Sequence, residues 1–479
     1  MNGLQVASTR SRAIVSQRGL VLLASVLGCG GLLSQASAAE PTALEAATAV
    51  QEALIEAIAS AEPSVVSIAR VRPADAAAVA QTEGELIPSE FGTGVIVDAG
   101  GAILTCAHVI SKDPESAYFV TTSDRKRYRA RIRASDPRSD LAILEIPASN
   151  LPVVKFGDAK TLRKGAIVIA LGNPYAIARD GQVSASWGIV SNLSRKLAPE
   201  EGTLGKPTLH HFGTLIQTDA KLNWGTSGGP LINLKGEMVG LTTSVAAIAG
   251  FEQAAGYAVP VDDTFRRAVE TLKAGREVEY GFLGVRPTDL SEDRILRGES
   301  GALIQEVVRG APGDRANLRP DDVVIAVDGQ TIHDVDELML QVGKLPADAV
   351  VRLAVQREGG VIQLLPRLAK YPVEGRKIVT APETDWRGLQ VDYATADRDR
   401  GVAAPLPLDQ SWIVVTKVAM DSPAARAGLA EKMLITHVGG TPVQTPKEFL
   451  AAVAGRDGEV DLTTWSPTEM RSVKHVPAN

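Results

Sequence analysis

The chain has 479 residues, of which 45% are hydrophobic and 22% are charged, and its formal net charge is −6. A chain of this length holds about three domains at ~150 residues each, and nothing in the overall charge argues for nucleic acid as a partner. If Cys29 lies in a segment removed during processing, Cys106 is the remaining cysteine and no intramolecular disulfide can form.

The N-terminal segment is typical of an export signal. An apolar run, Gly19–Leu33, follows three basic residues, Arg10, Arg12 and Arg18. The run is short for a membrane span, and Ala36-Ser37-Ala38 after it resembles a signal-peptidase site. Two alternatives stay open: a lipoprotein box at Val26–Cys29, which makes Cys29 a lipidated N-terminus, or an uncleaved anchor. We favour cleavage after Ala38 because the apolar run continues past Cys29, and all three alternatives place the chain outside the cytoplasm.

Residues from Ala39 to Ala61 predict an amphipathic helix that ends before Pro63. Short apolar segments separated by Gly, Asp, Asn and Pro then continue to Val259, which is typical of an all-β barrel or sandwich. One hairpin is predicted from Gly94–Val97 to Ala102–Leu104. A helix from about Thr264 to Lys273 closes this region, with Asp262 or Asp263 as its cap and Gly275 as its stop.

One predicted strand carries arginines at alternate positions, so that all of them project from one face: Arg125, Arg127, Arg129, Arg131 and Arg133. We expect a solvated edge strand whose charges resist pairing with another chain. The alternative is a binding patch for an anionic lipid, polysaccharide or nucleic acid.

A segment of the C-terminal half occurs twice. Ala311–Leu318 recurs as Ser422–Leu429, and Val327–Ile332 recurs downstream as Val438–Val443. Two copies of one small module are therefore predicted.

A serine lies in a glycine-rich stretch, Gly225–Pro230. Glycines allow the sharp turn that exposes an attacking serine and lets amide groups converge on the oxyanion. His108 follows a predicted strand, and Asp140 begins another, where a buried carboxylate needs a donor such as an imidazole N–H. Each residue alone more often has a structural role, but the order His108, Asp140, Ser227 is that of chymotrypsin-type proteases. Cys106 beside His108 is expected to pack as a small buried hydrophobe rather than act as a nucleophile.

Longer motifs extend this resemblance. Five segments together resemble the HtrA/Deg family of trypsin-fold serine proteases: Thr105–His108, Asp140–Leu144, Ala170–Pro174, Gln217–Ala220 and Gly225–Pro230. Tyr280–Val285 resembles the carboxylate-binding loop of an HtrA PDZ domain. The resemblance implies a mainly β fold: a chymotrypsin/trypsin-like double β-barrel followed by two α+β PDZ domains.

The resemblance also implies roles for single residues. Ser227 attacks the scissile carbonyl, His108 transfers the proton, and Asp140 orients the imidazole. The amides of Gly225 and Ser227 form the oxyanion hole. HtrA proteins commonly have Asn and Pro where this chain has Thr226 and Trp224. This departure predicts a loop that either needs a switch to become active or supports weak activity.

The substrate contacts are implied in the same way. Thr242, Thr243 and Ser244, together with Gly256–Pro260, are expected to flank the specificity pocket. Lys221-Leu222-Asn223 replaces an acidic residue there and predicts a preference for small or medium apolar side chains.

The amides of Phe282, Leu283 and Gly284 are expected to receive the carboxylate of a peptide C-terminus. The alternative is that this stretch is only a turn into a strand. In the second copy, Gly388–Val391 is the equivalent loop, an insertion-like stretch at Asp397–Asp409 follows it, and the module is expected to dock or assemble without binding peptides.

The chain is predicted to have six parts: a signal peptide at 1–38, a protease domain at 39–275, a first PDZ domain at 276–371, a linker at 372–384, a second PDZ-like domain at 385–470 and a tail at 471–479.

The predicted function is that of an exported, periplasmic, ATP-independent serine endoprotease acting on unfolded or misassembled proteins. Peptide C-termini and a homotrimer or larger homo-oligomer are its expected partners. No cofactor is expected, and no metal, because His210-His211 lacks a third ligand at useful spacing. The alternative is a protease-like chaperone or PDZ scaffold with weak or no activity.

Overall fold

A computed structural model of the protein describes residues 42–71, 90–110, 116–173, 182–195, 215–243, 256–373, 375–382, 385–396, 413–466 and 469–478. The helices are α1 (Ala43–Ala61), α2 (Ala107–Ile110), α3 (Asp263–Lys273), α4 (Glu292–Leu296), α5 (Pro312–Arg315), α6 (Val335–Lys344), α7 (Pro423–Arg426) and α8 (Pro446–Val453). None of these helices is long and apolar enough to cross a membrane.

Both helices predicted within the first 275 residues are confirmed. Helix α1 ends at Ala61, before Pro63. Asp262 is the cap of α3, since its carboxylate accepts from the N–H of Phe265 at 2.9 Å. Gly275 follows α3 with a φ of 73°, the left-handed conformation in which glycine commonly ends a helix.

Six strands close a first barrel in the order β5-β4-β1-β2-β3-β6, and β6 returns to β5. The strands are β1 (Val65–Val71), β2 (Glu90–Ile96), β3 (Ala102–Cys106), β4 (Ala117–Thr121), β5 (Arg127–Asp136) and β6 (Leu141–Glu145). The predicted hairpin is confirmed, because β2 pairs with β3 and places Val95 opposite Leu104. Alternate apolar side chains, among them Ile68, Ile103 and Leu144, fill the barrel interior.

A second closed barrel has the order β10-β11-β12-β9-β8-β7. Its strands are β7 (Ile167–Gly172), β8 (Ser184–Arg195), β9 (Leu215–Thr218), β10 (Pro230–Ile232), β11 (Met238–Thr243) and β12 (Gly256–Pro260). A shared apolar core joins the two barrels, with Leu104 from the first, Leu171 from the second and Phe265 from α3. The predicted trypsin-like double barrel is therefore confirmed.

Two further sheets follow with the same connectivity. The first has the order β14-β15-β16-β18-β19 with β17 on β16, and the second has β22-β23-β24-β26-β27 with β25 on β24. The strands of the first are β14 (Val285–Asp289), β15 (Ala302–Val307), β16 (Val323–Val327), β17 (Gln330–Thr331), β18 (Leu353–Arg357) and β19 (Gly360–Leu364). Those of the second are β22 (Leu389–Tyr393), β23 (Ile413–Val418), β24 (Leu434–Val438), β25 (Thr441–Pro442), β26 (Val460–Ser466) and β27 (Met470–Val476). The matching topology confirms the repeat, in which α5 and α7 are equivalent helices.

Three short strands connect these parts: β13 (Gly281–Phe282), β20 (Ala369–Lys370) and β21 (Ile378–Val379). β13 pairs with β20 at the base of the first repeat, where the chain enters and leaves it. β21 then returns to the first barrel and pairs with β5.

Arg127, Arg129 and Arg131 share the exposed face of β5, whereas Arg125 lies in the turn before the strand with a φ of 64°. The expectation of an edge strand is wrong. Arg127–Ala130 pairs with β4, and Arg131–Asp136 pairs with β6. The barrel closes through β5, so it is an interior strand of its sheet: Arg131 lies in the half that pairs with β6, and Arg127 and Arg129 lie in the half that pairs with β4. Arg133 is half-buried and donates from Nε to the carbonyl of Lys273 at 3.3 Å.

Candidate active site

His108 and Asp140 form a direct pair at the junction of the two barrels. The imidazole Nδ1 lies 2.7 Å from Oδ2 of Asp140. The other carboxylate oxygen accepts from the backbone N–H of His108 at 2.9 Å. The Asp140 side chain is fully buried, whereas that of His108 is 25% exposed. A buried carboxylate on Nδ1 keeps the proton there and leaves Nε2 as the basic nitrogen.

The strands of the first barrel position this pair. β3 ends at Cys106, which pairs with Leu141 at the start of β6, so the residues beyond both strand ends become neighbours. The carbonyl of Asp140 accepts from the N–H of Ala107 at 2.8 Å. Asp140 has a φ of 57°, a left-handed conformation that Asp tolerates better than most residues.

Two consecutive tight turns precede β10, and Ser227 lies in the second of them. The N–H of Thr226 bonds to the carbonyl of Asn223 at 3.1 Å, and the N–H of Gly229 bonds to the carbonyl of Thr226 at 3.0 Å. The third residues of these turns, Gly225 and Gly228, have φ values of 94° and 86°, as a type II turn requires. Ser227 is therefore the second residue of a turn whose shape depends on glycine.

The serine turn packs against the end of β3, two residues before His108. A Cβ atom on Gly228 would lie 2.4 Å from Oγ1 of Thr105 and 3.2 Å from the backbone nitrogen of Cys106. The carbonyl of Thr242 accepts both from the N–H of Gly228 at 2.8 Å and from the thiol of Cys106 at 3.5 Å. The fold thus brings the three predicted catalytic residues to one place.

Thr93 on β2 braces the serine turn, a role that was not predicted from the sequence. Its N–H donates to the carbonyl of Ser227 at 2.9 Å, and its hydroxyl donates to the carbonyl of Gly225 at 2.6 Å. The same hydroxyl accepts from the N–H of Asn173 at 3.0 Å, and the side chain is completely buried. A threonine in an ordinary β-strand carries no local signal of such a role, because its partners are far away in the sequence.

Thr226 and Trp224, which depart from the family pattern, have different environments. Thr226 is 7% exposed, and its hydroxyl donates to the carbonyl of Asn223 at 2.7 Å, which closes the first turn. Trp224 is 83% exposed. The threonine therefore stabilises the turn, while the tryptophan side chain extends into solvent beside it.

The hydroxyls of Thr242 and Thr243 point into the protein rather than into a pocket. Thr243 Oγ1 donates to Oδ2 of Asp140 at 3.1 Å, the same oxygen that lies against the His108 ring. Thr242 Oγ1 donates to the carbonyl of Thr226 at 2.7 Å. Both hydroxyls are thus bound within the protein, and Ser244 lies outside the described residues.

Cys106 lies beside the pair without the properties of a nucleophile. Burial, together with the negative charge of Asp140, raises the pKa of its thiol well above the usual value. The attacking species of a cysteine is the thiolate, which this environment disfavours. The other histidine feature of the sequence, His210-His211, lies outside the described residues.

Phe282 is the last residue of β13, and Leu283 and Gly284 connect that strand to β14. The carbonyl of Leu283 accepts from the N–H of Gly313 at 2.8 Å, and that of Gly284 accepts from the N–H of Val308 at 2.9 Å. β14 pairs only with β15 among the described strands, and α6 packs near it. An edge strand beside a helix is the setting in which an extended peptide adds to a sheet.

Comparisons with known proteins agree with this architecture. A trypsin-like peptidase domain model matches residues 92–241, and a PDZ domain model matches residues 281–364. A Chlamydia trachomatis protein, named a probable periplasmic serine endoprotease DegP-like, is 32% identical over 376 residues, which cover 77% of this chain and 70% of the relative. A Marinomonas protein of the same name is 33% identical over 366 residues, which cover 75% and 73%.

Among solved structures, the HtrA-type protease AlgW with a tripeptide is 28% identical with a TM-score of 0.52. The match covers 66% of this chain and 97% of that structure. The fold, the junction of the barrels and these relatives lead to one conclusion: the chain belongs to the HtrA family of DegP-like serine endoproteases.

Proposed function

We propose that Ser227, His108 and Asp140 are the catalytic triad of this endoprotease. Ser227 Oγ attacks the scissile carbonyl, His108 accepts its proton and later gives it to the leaving amine, and Asp140 stabilises the imidazolium that forms in between. The observation that carries the proposal is the 2.7 Å hydrogen bond between His108 Nδ1 and the buried carboxylate of Asp140. No cofactor takes part in this scheme.

The amides of Gly225 and Ser227 are proposed to bind the oxyanion. The type II turns set the direction of the peptide groups around them, and glycine at the third positions is what permits those turns. Because the carbonyls of Gly225 and Ser227 are both held by Thr93, the loop is held in one arrangement. Such preorganisation lets the donors act without reorganising in the transition state.

Replacing Thr93 with valine tests this brace. The substitution keeps the shape of the side chain but removes the hydroxyl that bonds to Gly225, so the carbonyl of Gly225 loses a buried donor. We expect kcat on a short peptide substrate to fall about 10- to 100-fold, which corresponds to a loss of ~1–3 kcal/mol. KM should change little, because the oxyanion forms only after binding.

Thr93→Ser is the matched control, since it keeps the hydroxyl and loses a methyl group. It should retain most of the wild-type kcat. Equal kcat values for wild type and Thr93→Val in a folded sample would show that the brace has no catalytic role.

The proposed substrates are unfolded or misassembled polypeptides outside the cytoplasm. Leu222 is half-buried, and its Cδ1 lies 2.9 Å from where a Cβ of Gly256 would be, so the segments expected to form the pocket bring an apolar side chain and a glycine together. This favours small or medium apolar residues at the cleavage site.

The proposed export and periplasmic location rest on the signal-like N-terminus. Mass spectrometry of the mature protein distinguishes cleavage after Ala38 from lipidation at Cys29 and from an uncleaved anchor.

The function is tested by incubating the full chain with a reduced, alkylated protein and with its native form, without ATP. We expect internal cleavage of the unfolded protein only, with new ends after apolar residues. Binding of the unfolded protein without any cleavage would instead favour the chaperone or scaffold.

The first PDZ domain is proposed to bind peptide C-termini through the turn at Phe282–Gly284. Gly284 has a φ of 75°, and a Cβ there would lie 2.2 Å from Cβ of Ala311. Gly284→Ala should therefore displace the turn and weaken binding of a C-terminal peptide at least about tenfold, or ~1.4 kcal/mol. Fluorescence anisotropy with a labelled peptide measures this.

Gly329→Ala is the control, because Gly329 has a similar φ of 82° in the same domain but no atom within 4 Å of the place that an added Cβ would take. The same peptide with an amidated C-terminus should bind neither protein. Tight binding of the amidated peptide would contradict recognition of the carboxylate.

The second PDZ-like module is proposed to serve docking or assembly. Arg387 immediately precedes its equivalent loop, and the guanidinium donates to four carbonyl groups, those of Val476, Pro477, Arg456 and Gly458. A buried arginine used in this way holds the module together and is not available to a ligand.

The proposed assembly is a homotrimer or larger homo-oligomer, as the family resemblance implies. Analytical ultracentrifugation of the mature chain measures its size.

A further inference from the structure

The turn that carries Asp140 begins at a second buried aspartate, Asp136, at the end of β5. Oδ2 of Asp136 accepts from the N–H of Ser139 at 3.0 Å and from its hydroxyl at 2.5 Å. Oδ1 accepts from the N–H of Arg138 at 3.3 Å. Asp136 is 2% exposed, so the turn is organised around a carboxylate that has almost no contact with water.

The same carboxylate also binds a residue from outside the barrels. The hydroxyl of Tyr280 donates to Oδ2 of Asp136. Tyr280 is fully buried and immediately precedes β13, the strand by which the chain enters the first PDZ domain. Loss of this donor would leave a buried carboxylate with one partner fewer, which is costly in a poorly solvated site.

Arg138 makes a second connection to the PDZ boundary. Its guanidinium carbon lies 3.7 Å from the ring centre of Tyr371 and 4.9 Å from that of Tyr280. The two tyrosines are joined to each other, since the N–H of Tyr371 donates to the carbonyl of Tyr280 at 2.7 Å. Tyr371 follows β20, so the two rings come from the two ends of the first PDZ domain.

The chain beyond Tyr371 stays on the same part of the first barrel. A Cβ on Gly375 would lie 2.9 Å from Cβ of Pro137, within the Asp136–Asp140 turn. β21 then pairs with Ala134 and Ser135 of β5. The hydroxyl of Thr380 donates to the carbonyl of Arg133 at 2.6 Å.

A buried ion cluster holds the two chain segments beside the tyrosines. Lys370 is 3% exposed, and its ammonium group lies 3.0 Å from Glu277 and 2.7 Å from Asp392. Glu277 comes from the entering segment, Lys370 from the leaving one, and Asp392 from β22 of the second repeat. Removing one partner of such a pair is strongly destabilising, so the segments are expected to stay together.

We propose that Arg138 and Tyr280 are positioning residues of the proteolytic reaction, which hold the Asp136–Asp140 turn so that Asp140 keeps its orientation toward His108. On one side, Asp140 is fixed by the backbone and ring of His108. On the other side, its turn is held by Tyr280 and Tyr371, which lie at the two ends of the first PDZ domain. The inference rests on the proposed triad, and it means that the orientation of the catalytic carboxylate depends on residues outside the two barrels.

Neither Arg138 nor Tyr280 touches the reacting atoms, so we expect their substitution to act by displacing Asp140. A small displacement of Asp140 weakens its bond to Nδ1 and lets the imidazole leave the orientation needed for proton transfer. A misplacement of about 1 Å can reduce a rate about 100-fold. None of the residues proposed to contact substrate lies in the turn, so we expect kcat to fall while KM stays nearly constant.

The test uses the full-length protein and a fluorogenic peptide too short to reach a PDZ domain. Arg138→Met removes the charge and planar stacking but keeps an unbranched apolar chain, and Tyr280→Phe removes a single oxygen. We expect Arg138→Met to lower kcat about 10- to 100-fold and Tyr280→Phe about threefold to tenfold, both with KM within about twofold.

A conservative pair tests the ring contact. Tyr371→Phe keeps the aromatic face under Arg138 and should retain more of the wild-type kcat than Tyr371→Leu. In a double-mutant cycle, Arg138→Met combined with Tyr371→Leu should lose less than the product of the two single losses.

Arg266→Met controls for a general loss of stability. Arg266 also packs over an aromatic ring in the same domain, that of Phe156 at 5.3 Å, but it lies on α3 and its guanidinium donates to the carbonyl of Gly157, away from the Asp140 turn. Arg266→Met should leave kcat unchanged even if it lowers the melting temperature as much as Arg138→Met does. The proposal is overturned if Arg138→Met and Tyr280→Phe match wild type in kcat, or if their losses equal that of Arg266→Met at the same melting temperature.

Failure of the proposed function looks different from failure of this inference. Without the triad chemistry, wild-type protein itself would not cleave the peptide. If Arg138→Met does not fold, the single-oxygen change in Tyr280→Phe decides the question.

Discussion

Replacing Ser227 with alanine should abolish peptide-bond hydrolysis and leave the fold intact. Removing the nucleophile of a serine protease lowers kcat by about 10⁶-fold, since no other group can form the acyl intermediate. The turns around residue 227 are made by backbone groups, including the bond from Thr93 to the carbonyl of Ser227. The variant should therefore keep its melting temperature and its binding of unfolded protein, as measured by calorimetry and by pull-down of a labelled unfolded substrate.

Ser123→Ala is the matched control, because it removes the hydroxyl of an exposed serine in the same domain. It should be as active as wild type. Residual hydrolysis by Ser227→Ala at a tenth of the wild-type rate would exclude Ser227 as the nucleophile, and loss of substrate binding along with cleavage would contradict separate sites for the two.

Asp140→Asn should have the second-largest effect, with a fall in kcat of about 10⁴-fold near neutral pH. Asp140 accepts hydrogen bonds from the backbone N–H and the ring Nδ1 of His108 and from the hydroxyl of Thr243. An amide in its place can turn an NH₂ group toward Nδ1, which stabilises the wrong tautomer of the imidazole. The serine then lacks a base, although the geometry of the site is retained. Steady-state kinetics on a short peptide measure the loss.

Asp262→Asn is the corresponding control. It also changes a carboxylate to an amide, but at the cap of α3, where Asn is an equally good N-cap residue. Asp262→Asn should retain full activity. If Asp140→Asn were to keep more than a tenth of the wild-type kcat, Asp140 would not be the residue that orients the base.

Much of this architecture was predictable because its signals are local. The hairpin between β2 and β3, the end of α1 before Pro63 and the repeat of α5 as α7 all depend on residues close together in the chain. The order His108, Asp140, Ser227 and the glycines around the serine predict a protease because few other arrangements require them together. The structure adds the His108–Asp140 distance, which no sequence pattern supplies.

The remaining features depend on partners far apart in the sequence. Thr93 braces a loop more than a hundred residues away, and Tyr280 bonds to Asp136 across a similar separation. The arginine face of β5 was misinterpreted for the same reason: alternation reveals which side chains share a face, but barrel closure decides whether the strand has a free edge. The bond from the Thr243 hydroxyl to Asp140, more than a hundred residues away in the sequence, was likewise not predicted.

Labelling with a fluorophosphonate probe tests the central claim most directly, because the probe reacts only with a serine activated by its surroundings. Purified mature protein, Thr93→Val and Ser227→Ala are compared, each with and without an unfolded protein. The triad and its brace predict rapid labelling of wild type, slower labelling of Thr93→Val and none of Ser227→Ala. Absence of labelling in folded wild-type protein under both conditions, or labelling that persists in Ser227→Ala, would contradict the assignment of Ser227 as the activated nucleophile.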